Sequence, residues 1–203
     1  MIAIVDYGMG NIHSVRKVMD SFGLESVITQ NAADLERARK IILPGVGAFS
    51  DAMKELEKKK LKTAIIQQIK NKKPFLGICL GMQLLFSRSL EGVGARGLGL
   101  VAGVVDKFNQ MDELKVPHIG WNQINRTANP CKLLNDISPG SYVYFCHSYY
   151  AVPQEQGVIA STTDYGINFT SAICKDNIFG VQFHPEKSQV VGRKILENFI
   201  SLC

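Results

Sequence analysis

No stretch of this sequence approaches the roughly 20 apolar residues that a helix needs to cross a bilayer. The opening residues, Met1-Ile2-Ala3-Ile4-Val5-Asp6, reach an acid too soon to form a secretory h-region. Aromatic residues make up only 8%, with a single tryptophan, Trp121, which leaves no platform for stacking bases or sugars. The five cysteines (Cys79, Cys131, Cys146, Cys174 and Cys203) are odd in number and contain no C-x-x-C. None has metal-ligand spacing with His13, His118, His147 or His184, so neither a disulfide framework nor a structural zinc site is expected. The expectation is a cytoplasmic protein with reduced thiols.

Neither sign of charge dominates: 23 Lys+Arg stand against 18 Asp+Glu, a net +5. The excess gathers at Lys58, Lys59, Lys60, Lys62, Lys70, Lys72 and Lys73, around Leu61, Ala64, Ile65, Ile66 and Ile69. That pattern reads as the solvated face of a helix. A nucleic-acid binder would show a longer basic stripe or a recognisable module.

What is present is 203 residues, 46% apolar and 20% charged, enough for one domain spanning residues 1–203 around a sizeable core. The first half alternates strand and helix. Ile2 to Val5 reads as a buried strand, and Asp6 to Gly10 as a turn. Asn11 is placed to cap a helix that carries Val15, Val18, Met19 and Phe22 to Gly23. Strands are expected at 25–29, 40–43 and 75–78, and helices at 50–56, 61–70 and 80–87. This βα alternation predicts an α/β fold with a mostly parallel central sheet flanked by helices, as in flavodoxin-like proteins. The second half reads as strands at 104–108, 119–124, 142–146, 158–163, 169–174 and 178–183. A hairpin is expected at Lys175-Asp176-Asn177, and a last helix from Gln189 to Leu202.

Two glycine patterns carry no dinucleotide chemistry. Gly92-Val93-Gly94-Ala95-Arg96-Gly97 has the letters of G-x-G-x-x-G without the preceding strand and following helix, and reads as a surface loop. Gly8-Met9-Gly10 follows a strand, but His13 stands where the third glycine would be.

Three segments carry chemistry. Lys73-Pro74-Phe75-Leu76-Gly77-Ile78-Cys79-Leu80-Gly81-Met82-Gln83 runs a strand through Gly-x-Cys-x-Gly into a helix, the cysteine form of a nucleophile elbow. The small flanking residues let strand and helix pass closely while the nucleophile keeps an unfavourable φ/ψ. A helix starting at Leu80 would favour the thiolate through its dipole. In Phe183-His184-Pro185-Glu186-Lys187-Ser188, His184 can serve as acid and base. Glu186, two residues on in an extended segment, can fix the imidazole tautomer. Pro44-Gly45-Val46-Gly47 follows a strand, and the Val46 or Gly47 amide could join that of Leu80 in holding an oxyanion.

These three segments together resemble the class I, triad-type glutamine amidotransferases. Asp6-Tyr7-Gly8-x-Gly10-Asn11, His118-x-Gly120-Trp121-Asn122 and Tyr144-Phe145-x-His147-Ser148-Tyr149 narrow the resemblance. Within that class they look like the glutaminase subunits of imidazole glycerol phosphate synthases, of histidine biosynthesis. The resemblance runs from Met1 to the last helix. It implies Cys79 as nucleophile, His184 as acid/base and Glu186 as orienter, with Gly47, Gln83, His147 and Tyr149 around glutamine. It also implies a heterodimer with a (β/α)8-barrel cyclase contacted near Asn11, Trp121, Tyr144 and Lys187, and no metal or organic cofactor on this chain. Two other readings stay open. One is a paralogous glutaminase feeding another synthase, such as a sugar-modifying one. The other is a non-catalytic regulatory subunit of the same fold, against which the intact Cys79, His184 and Glu186 speak.

Overall fold

The computed structural model describes residues 1–109 and 114–203. In chain order, the first half holds β1 (Ile2–Val5), α1 (Ile12–Ser21), β2 (Ser26–Thr29), α2 (Ala32–Arg37), β3 (Lys40–Gly45), α3 (Phe49–Lys58), α4 (Leu61–Lys70), β4 (Phe75–Cys79) and α5 (Leu80–Gln83). Next come β5 (Phe86–Ser89), β6 (Ala95–Arg96), β7 (Val101–Lys107), β8 (His118–Arg126), β9 (Ser141–His147) and β10 (Tyr149–Pro153). The chain closes with β11 (Ile159–Asp164), β12 (Asn168–Lys175), β13 (Ile178–Val181) and α6 (Gln189–Leu202).

Strands β2, β1, β3, β4 and β13 lie side by side and run parallel. All of β1, β4 and β13 is buried, as a sheet covered on both faces requires. The pleat sends alternate residues of β1 to opposite layers. Ile2 and Ile4 pack with α1 and α6 through Val15, Met19, Ile195, Leu196 and Phe199. Ala3 and Val5 pack with α2, α3 and α4 through Leu35, Leu56, Leu61 and Ile65. Beyond β13 the sheet turns antiparallel through β12, β10 and β7, and β11 carries a side branch to the β8–β9 hairpin. The hairpin expected at Lys175-Asp176-Asn177 joins β12 to β13, with Asp176 at φ 52°.

Three expectations are corrected. The helix expected over 80–87 stops at Gln83, and Phe86–Ser89 forms a strand beside β7. Every residue from Leu80 to Phe86 is buried, so the run has no polar face to reveal its period, and burial from both sides decided it. A single turn has few aligned peptides, which weakens the dipole reasoning at the cysteine. Asn11 stands at the N-cap of α1, but its side chain makes no capping bond. The segment 92–97 is a tight β5–β6 hairpin closed by Gly94 N–H donating to the Glu91 carbonyl, with Val93 at the exposed tip. Helix α2 was not foreseen; Asn31 caps it by accepting from the Ala33 N–H at 3.0 Å. The lysine-rich segment is solvated, with Lys58 on Glu55 and Lys62 on Glu57. Among the described residues no helix is long and apolar enough to cross a membrane.

Candidate active site

Adjacent parallel strands end at the same edge, and this brings the site together. β3 ends opposite Cys79, with Gly45 paired to it, and β13 pairs Val181 with Ile78. The loop after β3, the end of β4 and the segment after β13 therefore emerge side by side, at the carboxyl ends of the strands where α/β sheets bind ligands. They deliver Val46 and Gly47, Cys79 and Leu80, and His184 to one cavity of about 310 Å³. Gln83, Glu91, Pro117, His147, Tyr149 and Lys187 also line it.

Cys79 adopts φ 53°, ψ −112°, a backbone state costly for any residue with a Cβ. Close packing enforces it. A Cβ on Gly81 would lie 1.8 Å from the Leu43 carbonyl oxygen, and one on Gly77 would lie 2.6 Å from that of Gly81. Strand and turn thus touch backbone to backbone, and the cysteine at the apex takes up the strain. Gly47 is similarly constrained: it sits at φ 97°, and an added Cβ would meet the Met9 methyl at 2.7 Å. Met9, to which the sequence assigned nothing, therefore shapes the loop.

His184 and Glu186 are both buried, and the His184 Nδ1 hydrogen-bonds the Glu186 Oε1 at 2.9 Å. Burial is the largest single influence on His184 and opposes its charge. The hydrogen bond and charge of Cys79, joined by those of Glu186, outweigh it and push the imidazole up to about 10. Near neutral pH the ring is therefore an imidazolium, with the Cys79 sulfur and the Glu186 carboxyl group as its partners. Its tautomer question disappears in that state, since both nitrogens carry protons. The second Glu186 oxygen, Oε2, is buried and finds no hydrogen-bond partner among the described residues.

The other predicted residues fall into two groups. Gly47, Gln83, His147 and Tyr149 all line the cavity, but two of them are already engaged. The Gln83 Nε2 donates to the Tyr149 carbonyl at 2.9 Å and to the Gln182 Oε1 at 3.0 Å. His147 uses Nδ1 on the Tyr149 carbonyl at 2.8 Å and Nε2 on His118 at 3.1 Å. Desolvation, the main cause, lowers His147 to about 3, so it is neutral and walls the cavity without a free ring nitrogen. Trp121, Tyr144 and Lys187 assemble on the outer rim. Trp121 and Tyr144 are cross-strand partners on β8 and β9 with ring centroids 6.1 Å apart, and the Lys187 Nζ lies 5.5 Å from the Tyr144 ring. Trp121 is 46% exposed, so it is not a core aromatic. Asn11 precedes α1, which contacts the 3₁₀ turn Pro185–Lys187.

Three site residues escaped the sequence reading. Gln182 is fully buried and places its Nε2 at 3.6 Å from the Cys79 Sγ. The signal for it was present: one amide inside the apolar run Ile178–Phe183, immediately before His184. Among the described residues lining the cavity, Glu91 brings the only carboxylate, and its Oε2 also accepts from the Phe49 N–H at 2.7 Å, capping α3 from 42 residues away. Lying in a glycine-rich turn, it gave no local signal. The Tyr7 hydroxyl is buried close to Gly45 with no hydrogen-bond partner among the described residues, and its pKa is raised first by burial and then by the charge of Cys79.

Comparison with known proteins agrees with this arrangement. The family profile "Glutamine amidotransferase class-I" matches residues 3–202. Among curated proteins, the "Imidazole glycerol phosphate synthase subunit HisH" of Geobacter metallireducens is 48% identical over 203 residues, covering 98% of this chain and 96% of that protein. The protein of the same name from Moorella thermoacetica is 48% identical over 198 residues, covering 98% and 93%. Among solved structures, one described as a glutamine amidotransferase superposes with a TM-score of 0.77 at 14% identity, covering 100% of this chain and 98% of that one. PurLQS from Thermotoga maritima gives 0.76 at 18% identity, covering 98% and 96%. At those identities the two structures speak for the fold.

Proposed function

This chain belongs to the class-I glutamine amidotransferase family, and from that premise we propose that it is the glutaminase subunit of an imidazole glycerol phosphate synthase. The observation that carries the chemistry is the buried Cys79–His184–Glu186 line opening on one cavity. The Cys79 thiolate attacks the side-chain amide carbon of glutamine. The oxyanion that forms sits against the backbone amides of Leu80 and of Val46 or Gly47, whose residues line the cavity beside the sulfur. The protonated His184 gives its proton to the departing nitrogen, ammonia leaves, and a glutamyl thioester remains. His184, now a base, takes a proton from water as the water attacks the thioester. Collapse releases glutamate and restores the thiolate–imidazolium pair. Glu186 keeps the imidazole aligned through both steps and offsets its charge. No step requires a metal or organic cofactor.

Glutamine enters with its amide toward Cys79. The Glu91 carboxylate is placed to receive the substrate's ammonium group, and Gly47, Gln83, His147 and Tyr149 bound its side chain. Ammonia passes to a (β/α)8-barrel cyclase seated over the rim of Asn11, Trp121, Tyr144 and Lys187. That cyclase makes imidazole glycerol phosphate and an aminoimidazole carboxamide ribotide. The rim supports this docking because the outward face of the β8–β9 hairpin is unusually apolar: Ile119 is 58% exposed and Tyr142 54%. We place the heterodimer in the cytoplasm and read residues 1–203 as one domain.

The test mixes the purified chain with such a cyclase and its phosphoribosyl substrate and follows glutamate and imidazole glycerol phosphate together. Matched formation of both supports the proposal. Glutamate release that no cyclase stimulates would leave a glutaminase without this partner.

A further inference from the structure

Three side-chain amides, two of them buried, with two buried imidazoles and one carbonyl form an unbroken hydrogen-bond chain that ends on the nucleophile. On the far side, the Asn122 Nδ2 lies 3.3 Å from the His118 Nε2, on strand β8. The His118 Nδ1 lies 3.1 Å from the His147 Nε2, and the His147 Nδ1 2.8 Å from the Tyr149 carbonyl. The same carbonyl accepts from Gln83, whose Nε2 also donates to the Gln182 Oε1. The Gln182 Nε2 then points at the Cys79 Sγ.

Every orientation in this chain is forced. A carbonyl only accepts, so the His147 Nδ1 must carry the hydrogen and its Nε2 must accept. His118 therefore donates from Nδ1 and accepts from Asn122 at Nε2. Burial keeps both rings neutral, lowering His118 to about 4 and His147 to about 3. The two hydrogens of the Gln83 amide are spent on Tyr149 and Gln182, so the Gln182 Oε1 faces Gln83. Its NH₂ is left only the sulfur side. A flipped Gln182 would set two donors against each other and carbonyl against sulfur.

We propose that Gln182 is a positioning residue for Cys79, and that the Gln83–Tyr149–His147–His118 chain holds Gln182 in that role. Besides His184, the Sγ has two polar neighbours among the described residues. The Cys146 carbonyl, 3.9 Å away, can only accept, and so favours the thiol. The Gln182 N–H, at 3.6 Å, can only donate, and so favours the thiolate. Gln182 thus supports the charge that His184 balances and holds the sulfur away from the Cys146 carbonyl. The far end of the chain, Asn122, is next to Trp121 on the strand assigned above to the partner. This role rests on the glutaminase reading, but the sulfur's state does not depend on that reading.

The experiment compares Gln182→Met, which keeps length and removes the amide, with Gln182→Glu. The latter keeps the acceptor for Gln83 and removes the donor to sulfur. A third variant, His118→Phe, breaks the chain three links from Gln182 while keeping the ring stacked between Phe145 and Tyr165. Thiolate is read as the ultraviolet absorbance that Cys79→Ala abolishes, and nucleophile reactivity as the rate of alkylation by iodoacetamide. Neither needs glutamine, so both report on Gln182 even if the chain hydrolyses none. Loss of one charge-assisted hydrogen bond predicts kcat and alkylation lower by about 10- to 100-fold in Gln182→Met, with KM within about 3-fold. Gln182→Glu should lose more, and His118→Phe about 3-fold. Melting temperatures check that each variant folds. Gln182→Glu with unchanged thiolate absorbance and alkylation overturns the proposal, as does a Gln182→Met that changes KM alone.

Discussion

The strands that carry Cys79 and the hairpin that carries Trp121 are built by opposite rules. Along β4, β13 and all of β3 beyond Lys40 every residue is buried, backbones touch at Gly77 and Gly81, and the nucleophile is held in a strained state. In the β8–β9 hairpin alternate residues face water: Ile119, Trp121 and Tyr142 on the outside, His118, Val143 and Phe145 within. The first region has no room to adjust, which suits groups that must meet within tenths of an ångström. The second leaves an apolar face that no described residue covers, which suits recognition of another protein. The chain from Asn122 to Cys79 is where the two regions meet. In typical systems coupling between two sites is worth about 1–3 kcal/mol.

The sharpest way to break the contrast is Cys79→Ala. Glutamine-dependent turnover should vanish while added ammonia still supports the partner. Substantial glutamate release by this variant would remove the elbow from the chemistry. Gly81→Ala should be nearly as severe, but through folding. Its Cβ would sit 1.8 Å from the Leu43 carbonyl oxygen, so the strand–turn contact must open, at a cost of about 3 kcal/mol or more. Thermal melting decides this; a melting temperature within a few degrees of wild type would show the region less rigid than described. Glu186→Gln keeps its shape and loses its charge, and should reduce kcat on the order of 10- to 1,000-fold, less than His184→Ala.

The paired imidazolium gives stability its own pH dependence. The folded value of His184, about 10, lies above its unfolded 6.5, so the folded state binds the proton more tightly. The contribution is complete below pH 6.5, declines as pH rises and is gone above about 10. Wild type should therefore lose melting temperature across that window relative to His184→Phe; parallel curves would deny the ion pair. The mildest change is Trp121→Ala. On an exposed face it should shift stability by about 0.5 kcal/mol or less and spare the unstimulated rate, while weakening stimulation by the cyclase. Glutamate release alone, with the partner, and with the partner plus its ligand separates these effects. Unaltered stimulation would mean the hairpin face is not the docking surface.

Local chemistry was enough to read much of this from the sequence. The alternation of buried strand and amphipathic helix announced the parallel sheet, and Gly77-x-Cys79-x-Gly81 announced a turn that only glycines permit. His184 and Glu186 were legible as a pair two residues apart, but the extended run expected there is the 3₁₀ turn Pro185–Lys187, and that turn is what brings the carboxylate back to the imidazole. Tertiary structure decided what depended on neighbours distant in the chain. Leu84, Leu85 and Phe86 became a turn and a strand because β7 lies alongside, and a wholly apolar run has no period to show it. Glu91 reached the cavity because the β5–β6 turn folds back over α3. Gln182, Gln83, His147 and His118 became one chain because β13, α5, β9 and β8 meet there. Hydrogen-bond direction is set by which donor faces which acceptor, and that is a property of packed elements, not of sequence spacing.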